Sequence, residues 1–428
     1  MSDLLKSLGS RGDIVCHLDF ETYYDSEYSL RKLTTEAYVR DPRFEVLGVG
    51  VAWGDLPPVW LEEWEFRAWA QRVDWSRVAV NAHHAQFDGF VLSHHYGVRP
   101  MFFYCTMSMA RAIHGSGQAS IEFLGPHYGL GEKGDALEGV KGKRRRDLTQ
   151  THWQKLGDYC RQDVTINRGA LSAMAAGFPV EELWLVDTTI RQFTEPVFRA
   201  DVEVLQEAMV AEVAKKDRLL ERVGGGDFKE VLGSSEKFAT LLRSLGVEPP
   251  TKVGKKGEIY AFAKDDPGMQ ELLEHPREEI RFLAEARLAV KSTITETRTE
   301  RIIGIAERGA VPFYLKYCGA HTHRWSGGDK MNPQNFNRGG ALRDAILAPD
   351  GHVLVVADSG QIEARVLAWV AGSKSLLDTF RRNDSTGGDF YSDVGSQFFL
   401  KEISKKETPV ERQLSKNMVL GLGFDMGW

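Results

Sequence analysis

The 428-residue sequence has only four cysteines, at positions 16, 105, 160 and 318, and no Cys-x-x-Cys pair. So sparse a set excludes a disulfide framework and fits a reducing, cytosolic compartment. No stretch approaches the roughly 20 uncharged apolar residues that a membrane-spanning helix needs. The N-terminus lacks the basic run followed by an apolar segment that marks a secretory signal. A positive charge surplus is also missing: 54 Lys and Arg stand against 60 Asp and Glu, a formal charge of −6. Coating nucleic acid through global charge is thereby excluded, and any such binding must come from local basic patches. What remains is an ordinary globular composition, 42% hydrophobic and 27% charged. At roughly 100–200 residues per domain, the length implies two to four domains.

Residues 1 to 175 alternate short apolar runs (14–18, 46–52, 78–80) with helical segments, the pattern of an α/β layer. From 180 to 310 the chain is mostly helix-like, broken by Gly224-Gly-Gly226 and by Pro249-Pro250. Residues 252–260 mix Lys and Gly and read as a solvated loop. Strand-like signal returns at 311–317 and 352–357. Residues 418–428 read as an apolar helix entering a core, so the chain is expected to stop in mid-motif.

Asp19 and Glu21 stand two apart at the end of the first apolar run, so both carboxylates point to one face of a strand. Taken alone the pair also fits a solvated strand edge. Asp88 follows a Val-Ala-Val strand at the start of a helix, and Tyr159 and Asp163 are i and i+4 on another helix. In this order, Asp-x-Glu, Phe-Asp and Tyr-x-x-x-Asp resemble the RNase H-like, DEDD-type 3′–5′ exonuclease superfamily. The resemblance implies that Asp19, Glu21, Asp88 and Asp163 cage two Mg²⁺ or Mn²⁺ ions and that Tyr159 orients the attacking water. His84 stands where that superfamily often has Asn. The densest basic run, 141–146, offers Lys143, Arg144 and Arg145 as phosphate contacts for an entering single strand, or else is a solvated loop.

Asp358-Ser-Gly-Gln361-Ile-Glu363-Ala-Arg365 follows the 352–357 run and leads into a helix with Ile362, Val366, Trp369 and Val370 on one stripe. This segment resembles the first palm motif of family A (polymerase I-like) DNA polymerases, with Ser359-Gly360 in place of Tyr-Ser. The resemblance makes Asp358 a ligand of the catalytic metals and places Gln361 and Glu363 at the nucleotide, where Glu363 screens the 2′-OH. Arg412, Lys416, Leu420 and Phe424, four apart, resemble the fingers helix that meets the deoxynucleoside triphosphate. Arg324, Gln334, Asn335 and Arg343 match stretches that contact primer and template. Arg287 and Lys291 match a thumb helix whose basic face meets duplex phosphates. Cys318, His321 and His323 lack the second Cys/His pair a zinc site needs.

The resemblance implies a multidomain α/β and α+β protein: an RNase H-like exonuclease (1–175), a helical linker and thumb (176–310), a partial palm (311–372) and the start of the fingers (373–428). Its implied substrates are single-stranded DNA, primer-template DNA and deoxynucleoside triphosphates. The family's third motif, His-Asp-Glu, supplies a second metal-binding carboxylate, yet no histidine follows His352. Polymerase activity is therefore expected to need a second polypeptide carrying the rest of palm and fingers. The alternatives are a stand-alone single-strand exonuclease whose C-terminal region only grips DNA, and a non-catalytic scaffold.

Overall fold

In the computed structural model, which describes residues 14–134, 139–224, 228–254 and 257–423, the first apolar run forms strand β1 (Ile14–Thr22). It lies at the centre of a five-stranded sheet with β2 (Val46–Trp53), β3 (Val59–Leu61), β4 (Val78–Ala82) and β5 (Phe102–Cys105), in the order β3-β2-β1-β4-β5. β1 pairs antiparallel with β2 and parallel with β4. β2 reads as an uninterrupted apolar run because both of its faces are covered, as a central strand requires. Its two glycines have steric reasons. A Cβ at Gly48 would fall 2.1 Å from the Trp60 ring, and one at Gly50 would fall 2.7 Å from Cys160 Sγ on the long helix Gln150–Ala175. Gly50 thus lets that helix close onto the sheet directly beside β1.

Helices Val180–Thr194, Val202–Arg222, Glu278–Lys291 and Ile294–Arg308 follow. Buried Glu36, on the helix Thr35–Arg40, holds this region against the sheet layer. Its carboxylate accepts from Arg40 at 3.1 Å and from Arg308 at 2.8 and 2.6 Å. The segment after 310 docks on the same layer: Gln86 Nε2 donates to the Leu315 carbonyl at 2.6 Å, and Asp329 accepts from the Thr35 backbone at 2.7 Å.

Compactness divides the chain into residues 1–353 and 354–428. In the second unit, helices Ile362–Val370, Lys374–Thr386, Phe390–Phe399 and Pro409–Gly423 surround a core of Ala364, Ala368, Phe380, Phe390 and Tyr391.

Four local expectations are corrected. The described residues of 251–260 form an antiparallel pair, β7 (Thr251–Gly254) with β8 (Gly257–Tyr260), after the two-residue β6 (Arg199–Ala200). Its strands are mostly exposed, so no apolar alternation advertised them. At 311–317 only β9 (Leu315–Lys316) forms, paired with β10 (Ser326–Gly327). Residues 352–357 are extended but pair with no strand among the described residues, and Val355 is 87% exposed. In the helix after them, Ile362, Val366, Trp369 and Val370 face outward while Ala364 and Ala368 are buried. That helix is apolar nearly all round, so periodicity could not choose its inner face.

Arg287 is a fifth correction, with consequences for DNA contact. It does not face outward: its side chain is fully buried, donating to the Leu232 carbonyl, to the Ser234 carbonyl at 3.2 Å and to Ser235 Oγ at 2.9 Å. Its guanidinium also lies 4.7 and 4.8 Å from the Phe238 and Phe262 ring centroids. Lys291, one turn on, is exposed and donates to the Gly233 carbonyl at 3.1 Å. Arg287→Ala should leave these acceptors unpaired and lose both ring contacts, costing about 3 kcal/mol or more. Thermal unfolding checks this; unchanged stability with weakened duplex binding would return Arg287 to the DNA-facing surface.

Candidate functional site

Three elements converge at the carboxyl end of β1. Asp19 and Glu21 face Gly50 and Gly48 across the β1–β2 ladder, whose register shifts just after Glu21. Asp88, in the first turn of the helix Ala85–Tyr96, is buried, and its Oδ1 accepts the Phe20 backbone N–H at 3.1 Å. The helix Gln150–Ala175 brings Tyr159, Cys160 and Asp163, all buried. The Cys160 thiol donates to Asp19 Oδ2 at 3.4 Å, and candidate ligand atoms of Asp19, Glu21 and Cys160 lie within 4.8 Å of one another. Asp163 Oδ1 is buried without a hydrogen-bond partner. Lys133 Nζ reaches Asp163 Oδ2 at 3.8 Å.

Carboxylates crowded in this way, two of them buried and two half-buried, oppose one another's ionisation. Burial, then the neighbouring Asp19 charge, pushes Asp163 up to about 7. Glu21 is held well above the carboxylate range by burial and by Asp19 and Asp163, and Asp88 by burial and Asp19. Burial also raises Asp19, with the Cys160 thiol and Lys133 opposing it. Burial and these same anions push the Cys160 thiol up, so it acts as a hydrogen-bond donor to Asp19 rather than as a thiolate ligand. The donor set is therefore carboxylate oxygen, the chemistry that suits Mg²⁺ or Mn²⁺. An orphaned, buried carboxylate oxygen on Asp163 fits the same ions.

The basic run behaves differently from its reading as phosphate contacts. Arg144 binds Glu45 at 2.6 Å and lies over the Tyr23 ring. Arg145 grips Glu62, with Nε at 2.9 Å, and lies over Trp153. Both guanidinia fasten the loop to the sheet layer, because two acidic residues on neighbouring elements claim them. Lys143 is half-buried, while Lys141 and Arg146 stay exposed. His84 shares a 2.6 Å hydrogen bond with the Tyr314 hydroxyl.

Arg324, Gln334, Asn335 and Arg343 are all exposed on the first unit. In the second unit, Asp358 lies in the exposed extended segment. Gln361 caps the following helix in the left-handed region (φ 59°), and its Nε2 donates to Asp389 Oδ1 at 3.1 Å. Arg412 binds both oxygens of Asp389 at 2.9 Å and lies 5.2 Å from the Tyr391 ring centroid. Lys416 and Leu420 follow, half-buried, along the same helix; Phe424 lies outside the described residues. Glu363 is half-buried on the first turn of its helix. Asp389 is what joins Gln361 to Arg412. Its only sequence signal is its N-cap position before an apolar helix. Lys133 and Cys160 carried no signal at all.

A family model, DNA polymerase family A, matches residues 201–428. The chain belongs to DNA polymerase family A, which places it among the DNA-directed DNA polymerases. It is 23% identical to the DNA polymerase of Bacillus phage SP02, with 96% of this chain and 69% of that protein covered. It is 33% identical over 205 residues to DNA polymerase I of Mycobacterium tuberculosis, covering 46% of this chain and only 21% of that enzyme. Its fold is similar to the POL domain of Pol1 from M. smegmatis in complex with DNA primer-template and dNTP. That match has a TM-score of 0.61 at 19% identity and covers all of this chain and 70% of the other. Among the described residues, no helix is long and apolar enough to cross a membrane.

The raised carboxyls have a consequence for stability. A group whose folded pKa lies above its unfolded value stabilises the fold at low pH, and that contribution fades as pH rises to the folded value. For Asp163 the window runs from its ordinary 3.8 to about 7. Without divalent ions, the unfolding temperature should therefore fall between pH 5 and pH 8. Excess Mn²⁺ should restore it at pH 8 but do little at pH 5. Melting curves at both pH values, with Mn²⁺ or EDTA, check this, and a flat profile would mean the cage is not strained.

Proposed function

We propose that the sheet-containing part of the first unit is a 3′–5′ exonuclease that removes nucleotides from DNA ends, joined to a family A polymerase portion. The observation that carries this reading is the convergence of four carboxylates from three elements, Asp88 and Asp163 buried and Asp19 and Glu21 half-buried, with Tyr159 beside them. Asp19, Glu21, Asp88 and Asp163 would hold Mg²⁺ or Mn²⁺, which when bound supplies Lewis-acid stabilisation at the phosphodiester and acidifies water. The chain's own groups do the rest. Tyr159 keeps its proton, since burial and the Asp163 charge push its hydroxyl above the ordinary tyrosine range. It therefore orients a nucleophile by hydrogen bonding rather than acting as a base. The Cys160 thiol fixes one oxygen of Asp19, and the Phe20 N–H fixes one of Asp88.

The substrate test uses a single-stranded DNA labelled at its 5′ end. The chain with Mn²⁺ should shorten it from the 3′ end, and joint replacement of Asp19 and Glu21 by Ala should abolish this without unfolding the protein. Tyr159→Phe, which keeps the ring, should slow cleavage about 100-fold. Cleavage surviving the double substitution would remove the cage from the mechanism.

For the polymerase portion, Asp358 would hold catalytic metal, Gln361, Glu363 and Leu420 would border the nucleotide, and Arg412 and Lys416 would meet its triphosphate. Arg324, Gln334, Asn335, Arg343 and Lys291 would contact primer and template. The second metal-binding carboxylate would come from a His-Asp-Glu segment. A His-Asp-Glu-containing segment added to this chain should produce nucleotide incorporation that Asp358→Ala and Lys416→Ala each abolish. Incorporation by the 428 residues unaided would place a second carboxylate within them. No incorporation with the correct segment would leave the exonuclease standing alone.

A further inference from the structure

Lys133 is the basic residue drawn into the carboxylate cage, and the local backbone is shaped to put it there. Its Nζ binds Glu122 Oε1 at 2.8 Å, lies 3.8 Å from Asp163 Oδ2 and stands 5.7 Å from the centre of the Tyr159 ring. Among the described residues, this is the ion pair that reaches a cage carboxylate. The loop that carries it is laid tightly on its neighbours. The Gly131 carbonyl fills the space where a Cβ at Gly125 would stand, 2.3 Å away. Gly131 itself has φ +103°, and a Cβ there would fall 2.9 Å from Gln162 Nε2; one at Gly134 would fall 3.3 Å from the Tyr159 ring. Three glycines thus press the Lys133 segment against the helical turns that carry Tyr159 and Asp163.

A plain surface ion pair with Glu122 explains neither feature. Glu122 is 59% exposed, whereas Lys133 is only 27% exposed and points inward past it. An ammonium beside Asp163 does two things by charge alone. It relieves repulsion among the carboxylates when no other cation is present, and it opposes a divalent ion at that corner when one arrives.

Resting on the exonuclease reading, we propose that Lys133 is a positioning residue of the cage: it holds Asp163 and Tyr159 in place and weakens divalent-ion binding at the Asp163 corner, while Glu122 tethers it partly out of the way. The cage would then fill its metal complement only as DNA phosphate adds negative charge, so that ion uptake and substrate binding are linked.

The test measures Mn²⁺ binding to the full chain without DNA, by electron paramagnetic resonance of the free ion, and separately follows cleavage of single-stranded DNA at saturating Mn²⁺. Lys133→Met should tighten Mn²⁺ binding about tenfold through loss of one charge near the ion. It should slow cleavage at least tenfold with little change in KM. Lys133→Arg should keep near-wild-type Mn²⁺ affinity, and Glu122→Gln should weaken it by releasing the lysine toward Asp163. Melting temperatures near the wild-type value exclude unfolding as the cause. Cleaving wild type whose Mn²⁺ affinity Lys133→Met leaves unchanged or weakens overturns the inference alone. Wild type that binds Mn²⁺ and tightens with Lys133→Met, yet degrades no DNA, overturns the exonuclease reading and leaves the charge role standing. Wild type and Lys133→Met that both bind no Mn²⁺, with single-stranded DNA present as well as without it, overturn both.

Discussion

Mutual repulsion among crowded carboxylates is the constraint around which the first unit is arranged. Asp88 and Asp163 are buried and Asp19 and Glu21 half-buried, so the protein itself must supply much of the compensating donation. It does so sparingly: the Phe20 N–H for Asp88, a thiol for Asp19 and a lysine near Asp163. One oxygen of Asp163 has nothing. A fold selected for stability alone would have neutralised that oxygen. Left bare, it is an oxygen that a bound cation could take. The sheet accepts this load because it is buried on both faces elsewhere, with Leu18, Val49, Val51, Val80 and Phe103 fully or nearly fully enclosed.

Two features of the sheet put the cage within reach of the long helix. Gly50, opposite Asp19, removes a side chain that would hold the helix off, while Gly48, opposite Glu21, makes room for the Trp60 ring. The register shift after Glu21 turns the end of β1 away from regular pairing. A second charged device, Glu36 with Arg40 and Arg308, ties the same layer to the helical region. Because Glu36 is only 1% exposed, removing either arginine would leave a buried charge partly unpaired. His84, Gln86 and Thr35 complete the seam with the 314–329 segment, so the helix that bears Asp88 is held from both ends of the chain's first unit.

The second unit shows the same economy around one acid. Asp389 caps its helix by accepting from Ser392, and at the same time holds Gln361 and Arg412. Arg412 keeps Asp389 below the ordinary carboxylate range, and the pair is largely shielded from solvent. Segments more than 20 residues apart are thereby locked into one arrangement, with Phe380 stacked on Phe390 at 3.9 Å beneath them.

Residue order alone determined the acidic set, its placement on a strand and two helices, and the Arg412–Lys416–Leu420 stripe, because spacing along a strand or helix dictates which side chains share a face. The α/β character of the first part was legible for the same reason: β1, β2 and β4 are apolar runs that only buried strands can use. Tertiary structure alone decided which face turned inward. Arg287 and Lys291 share a helical stripe, yet only Arg287 is sealed between Phe238 and Phe262. The basic run at 141–146 looks uniformly available until Glu45 and Glu62 claim two of its arginines. Ile362, Val366, Trp369 and Val370 form a convincing apolar stripe that ends up outside, because two alanines on the other face allow closer helix packing. Lys133 and Asp389, silent in the sequence, gain meaning only from neighbours up to 30 residues away. Spacing is a property of one element, whereas burial and charge pairing belong to the meeting of several, and that meeting is what the fold supplies.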